Sequence, residues 1–129
     1  GMRLATFRLE KGDQRAETTV VIIEGQAGGP EANVVRWLDQ LGLHLNKQEM
    51  TQFLATGKSL PAKNSLFLTV YDFTILGAPL GWSMLAAVGP ILDQTLFIKM
   101  SGDSDIVTSS YSDFVNLVSS MGLSPQSRS

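Results

Sequence analysis

Cysteine is absent from the 129 residues, which removes disulfides, thiolate nucleophiles and cysteine-ligated metals from consideration. That absence is compatible with any compartment. Histidine occurs once, at His44, with no carboxylate at ligand spacing, so no metal site is expected. Nor does the spacing suggest the nucleophile and orienting acid that a catalytic histidine needs, and His44 reads as a loop residue. Charge is sparse at 17% of residues, the net charge is −2, and Lys and Arg never form a run of three. A nucleic-acid partner is therefore not expected, because phosphate backbones are met by basic stripes. No apolar run is long enough to span a bilayer, and no signal-peptide pattern opens the chain. Gly1 ahead of Met2 reads as a remnant of tag removal. A periplasmic or cell-envelope location is expected if a leader was removed, and a cytoplasmic one otherwise.

Hydrophobic residues make up 43% of the chain, the composition of a globular domain. Residues 1–129 read as one domain, with residues 124–129 as a frayed tail. Met2 to Leu9 alternates loosely, and Glu17 to Ile23 is rich in β-branched residues. Lys11-Gly12-Asp13-Gln14 between them predicts an antiparallel hairpin. The stretch Gly25 to Gly29 then breaks into a helix, with Pro30 suited to its first turn. Val34, Val35, Leu38 and Leu41 form its apolar stripe, and Gly42 stands at the left-handed cap. Asn46 and Glu49 make a capping box for a second helix through Met50, Phe53 and Leu54, closed by Gly57.

Leu60 to Asn64 reads as a loop, and Leu66 to Leu76 as a long strand apolar on both faces. Trp82 to Val88 and Thr95 to Met100 read as two more strands, with Gly89 to Gln94 connecting them. Asp103 to Met121 keeps helical periodicity throughout. The expected order is β-β-α-α-β-β-β-α, an α+β fold whose antiparallel sheet is sandwiched by helices or covered in part by a second copy.

Four segments together carry a resemblance: Met2 to Phe7, Gly28 to Asn33, Arg36-Trp37 with Gln40-Leu41-Gly42, and Leu96 to Gly102. They resemble an uncharacterised bacterial family, many of whose members are exported, found in planctomycete-type organisms. The resemblance spans most of the chain and implies a PsbP-like α/β/α sandwich. Asp103 stands where the family pattern has a nearby proline, and Gly57 to Asn64 and Gly89 to Gln94 match poorly. Known uses of the wider fold are protein-binding, in a photosystem-associated extrinsic protein and a nuclear-import factor for the GTPase Ran. For this chain that is analogy of fold alone.

The candidate site residues are Asn33, Arg36, Trp37 and Gln40, which share a helical face expected to lie roughly opposite the apolar stripe. Their side chains suit a planar or anionic ligand, or a protein partner. The competing structural reading has Trp37 covering the sheet edge while Asn33 and Gln40 satisfy backbone groups. Gly28 and Gly29, before the helix, form a weak anion-binding candidate, since neither Walker nor dinucleotide glycine spacing is present. Asp72 interrupts an apolar strand, so it is expected to pair with Lys99, Arg36 or backbone donors, or to face water. Asp103 and Asp105 read as capping residues for the last helix. The expected role is a non-enzymatic binding or assembly module of the cell envelope, without cofactor or metal. It would act through a protein partner or self-association as a homodimer. The alternative is a small-molecule binder or minor hydrolase using the Arg36/Trp37 surface.

Overall fold

A computed structural model describes residues 2–25 and 29–121. The chain folds into strands β1 (Met2–Lys11) and β2 (Gln14–Glu24), then helices α1 (Gly29–Gln40) and α2 (Lys47–Ala55). Strands β3 (Lys58–Pro61), β4 (Phe67–Asp72), β5 (Trp82–Ile91) and β6 (Gln94–Asp103) follow, then helices α3 (Ser104–Ser109) and α4 (Tyr111–Ser120). The six strands form one sheet in the order β1-β2-β6-β5-β4-β3, every neighbour antiparallel. Val34, Trp37, Leu38, Leu41 and Phe53 from α1 and α2 pack on one face, against Tyr71, Phe73, Met84 and Phe97. On the other face Ile106, Val107, Phe114 and Val118 from α3 and α4 pack against Val20, Leu68, Leu85 and Ile98. The architecture is therefore α+β in three layers, a sheet between two helical layers, which is why the central strands are apolar on both faces.

Local chemistry sets the ends of α1 and α2. Gly42, at φ +72°, donates to the Asp39 carbonyl and Leu43 to the Leu38 carbonyl, the paired bonds of a Schellman motif. A methyl group at Gly42 would also sit 2.7 Å from Leu80 Cδ1, so two constraints coincide there. The Asn46–Glu49 capping box forms with both bonds in place, at 2.8 and 2.9 Å. Gly57 lies just past α2 and serves a close approach, since a methyl there would meet Tyr71 Cε1 at 2.7 Å.

The sheet holds one strand more than expected, and several strand boundaries move. β3 occupies Lys58–Pro61, and its last two residues, Leu60 and Pro61, fall in the stretch Leu60 to Asn64 read as a loop. Pro61 is tolerated because it closes a four-residue edge strand. The long run to Leu76 instead breaks at Asp72, whose carboxylate accepts from Thr74 N–H at 2.9 Å and from its hydroxyl, winding Phe73–Leu76 into a 3₁₀ turn. Ile75 is thereby left exposed. The Gly89 to Gln94 connection is itself ladder: Pro90 pairs with Thr95 and Ile91 with Gln94, leaving only Leu92 and Asp93 as the turn. Pairing of β4 with β5 stops at Thr69–Val88, one residue short of Gly89.

The final helix is two helices. The Ser110 hydroxyl donates to the Ile106 carbonyl at 2.6 Å while its own N–H moves to Val107, and the axis breaks at that residue. Asp103 gives α3 no side-chain cap, accepting instead from Arg15 N–H at 2.7 Å. Ser83 is fully buried, and its hydroxyl has no hydrogen-bond partner among the described residues. Ser83→Ala should therefore leave the melting temperature unchanged or raise it, because a buried unpaired hydroxyl carries a penalty of about 1–3 kcal/mol. A fall of several degrees in a thermal melt would contradict the assignment.

Candidate functional site

Helix α1 lies over β6, with Trp37 edge-on to Phe97 at 6.0 Å and to Phe73 at 6.1 Å. Trp37 is only 4% exposed. At 100° per residue it lies about 60° from Val34, so the two helical faces adjoin. The expectation of opposed faces is corrected accordingly: Trp37 belongs to the core, and Val35, placed in the apolar stripe, is exposed. Arg36 and Gln40 remain exposed on the flank of α1 that faces β2.

Between that flank and the sheet runs an open groove of about 210 Å³, lined by Arg36, Trp37 and Gln40 from α1 and by residues from three strands. Strand order brings those three together. Arg3 on β1 pairs in register with Val21 on β2, and Val21 with Phe97 on β6. The next row places Thr19 beside Lys99. All five line the groove with Ile23, and none of the lining residues is a carboxylate.

Three cations thus converge without a counter-ion. Among the described residues, the ion pairs are Arg8–Glu17, Arg15–Glu10 and His44–Asp39, and none involves Arg3, Arg36 or Lys99. Burial pushes the Lys99 ammonium below the ordinary lysine range, and repulsion from Arg36 pushes it further in the same direction. The Arg36 guanidinium is held from behind: Nη2 donates to Asn33 Oδ1 at 2.5 Å, and Asn33 Nδ2 donates to the Gly29 carbonyl at 2.7 Å. Asn33 is 1% exposed, so it orients Arg36 and does not itself reach the groove.

Of the expected site residues, Arg36, Trp37 and Gln40 therefore line one groove, and Asn33 supports it from the side. Gly29 faces a different hollow, with Asn33, Tyr71 and Thr95. Gly28 lies outside the described residues. Asp72 is not a groove residue and bonds neither Lys99 nor Arg36; its partner is Thr74. The sequence reading missed Arg3 and assigned Lys99 only as a partner for Asp72. One signal was available, since Lys99 is the lone charge between Thr95 and Met100. Comparison with protein-family models, curated proteins and solved structures finds no match to this chain.

Proposed function

We propose that this chain is a non-enzymatic binding module whose groove takes a multiply charged anionic group, a phosphate or clustered carboxylates, on a ligand or protein partner. The observation that carries the reading is three cations lining one groove with no carboxylate among them. An isolated half-buried lysine beside an arginine is electrostatically unfavourable, and an anion of charge −2 would relieve it. The guanidinium groups supply forked donors, Lys99 a point charge, and Thr19 and Gln40 neutral hydrogen-bond partners. Val21, Ile23 and Phe97 add apolar wall, which suits an anionic head on a carbon body. The helix–sheet–helix layers support the PsbP-like reading and, by analogy, a protein-binding use in the cell envelope. The hydrolase alternative loses its proposed acid, because Asp72 lies outside the groove.

Lys99→Met supplies the test. A lysine whose folded-state pKa is depressed binds fewer protons in the folded than in the unfolded chain. It therefore destabilises at neutral pH, and stability returns as pH rises through the depressed value toward the ordinary lysine range. The expected result is that Lys99→Met raises the melting temperature of the free protein at pH 7, and that this gain fades toward pH 10–11. Inorganic phosphate should raise the melting temperature of the parent chain and leave Lys99→Met unmoved. Equal phosphate shifts in both proteins would overturn the groove assignment.

A further inference from the structure

The two edges of the sheet are managed differently. β3 closes one edge with four residues ending in Pro61, a short strand that discourages pairing. β1 forms the other edge with ten residues and no proline, and only Ala5 among them is even half-buried. Phe7 is 51% and Leu9 43% exposed, too apolar a row to leave in water along an unpaired ladder.

The register settles which groups face outward. Gly12 and Asp13 form a two-residue turn, so Lys11–Gln14 is the closing hydrogen-bonded pair, and Phe7 and Leu9 also bond toward β2. Thr6, Arg8 and Glu10 then direct their N–H and C=O groups away from the sheet. Ala5, Phe7 and Leu9 share the α3/α4 face, opposite Val20, Thr18 and Ala16 in register. Thr6, Arg8 and Glu10 share the α1 face, and the irregularity at Leu4 brings Arg3 onto that face too, beside Val21.

We propose that β1 pairs antiparallel with β1 of a second copy about a two-fold axis at Phe7, joining two sheets into one of twelve strands. Charge complementarity selects this register. Centred on Phe7, the apolar row matches Phe7 with Phe7 and Leu9 with Ala5, while Thr6 and Arg8 exchange main-chain hydrogen bonds across the axis. Glu10 then falls opposite the irregularity that presents Arg3, giving two Arg3–Glu10 pairs and leaving Arg36 and Lys99 as the unpaired cations of each groove. Moving the centre one pair toward the turn sets Arg8 against Arg8, and one pair the other way brings Arg8 onto Arg3, a like-charge contact in both cases. Within one chain, Glu10 reaches Arg15 only at 3.9 Å with both side chains exposed, a contact readily exchanged for Arg3. Such an interface is isologous, with the same strand contributed twice.

The absence of native cysteine makes the test direct. Directly opposed residues of a non-hydrogen-bonded pair lie close enough for a disulfide, so Phe7→Cys should cross-link to a covalent dimer on mild oxidation. Leu9→Cys, whose partner is Ala5, should cross-link at least ten times more slowly. Sedimentation of the parent chain should show a concentration-dependent dimer. Arg3→Glu and Glu10→Arg should each weaken it at least tenfold, and the double exchange should restore it. Equal cross-linking at both cysteine positions would overturn the register. A parent chain that sediments as a monomer up to millimolar concentration, with no cross-linking at Phe7→Cys, would overturn the dimer itself.

Discussion

Trp37→Ala will lower stability by about 3–5 kcal/mol, the range for truncating a fully buried large aromatic. For a chain of this length that corresponds to a fall in melting temperature on the order of 10–15 °C. The indole joins three elements: it meets Phe73 and Phe97 edge-on, and Phe73 packs in turn on Phe53 of α2 at 4.9 Å. Truncation would leave a void between a helix and a sheet that can collapse only by tilting α1, so the cost stays near the upper half of the range. Gln40→Ala, on the exposed flank of the same helix, should change stability by no more than about 0.5 kcal/mol. Chemical denaturation of both variants separates core from rim. A small loss at Trp37 would place the ring at the surface instead of in the core.

That prediction marks where the sequence was legible. Val34, Leu38 and Leu41 of the α1 stripe, the Gly42 cap, the Asn46–Glu49 box and the β1–β2 hairpin follow from spacing and turn chemistry within a few residues. Helical periodicity groups Trp37 correctly with Arg36 and Gln40, but it does not report the width of the apolar face. Only the sheet, with Phe73 and Phe97 waiting beneath, decides that Trp37 turns inward. The site was less legible for a topological reason. Arg3 and Lys99 are far apart in the chain and line one groove only because β6 inserts between β2 and β5, next to the β1–β2 hairpin. Asp72 takes the backbone-donor option among those expected for it: its partner, Thr74, is two residues away, and the local bond wins over any distant cation. A polar residue in an apolar run signals either a strand end or a residue turned into a groove, and here Asp72 marks the end while Lys99 lines the groove.

Gly102→Ala should be as damaging as the loss of Trp37, by overpacking instead of a cavity. A methyl group at Gly102 would overlap the Arg15 carbonyl oxygen and Ala16 Cα, well inside van der Waals contact. Both are main-chain atoms of β2, so no side chain can swing aside to relieve the clash. β2 cannot retreat cheaply either, since Arg15 N–H is held by the Asp103 carboxylate at 2.7 Å and Ala16 faces Gly102 in register. The expected loss is about 3 kcal/mol or more, at the upper end of overpacking costs, with faster amide exchange in β2 and β6. Ser101→Ala, one residue away, should stay within about 0.5 kcal/mol. The same displacement reaches the groove, because β2 carries Thr19, Val21 and Ile23 as its floor while Lys99 stays on β6. Gly102→Ala should therefore also blunt the response to phosphate while leaving Arg3, Arg36 and Lys99 chemically intact. A variant that melts early yet keeps the full phosphate shift would show that the cations act without the β2–β6 register that assembles them.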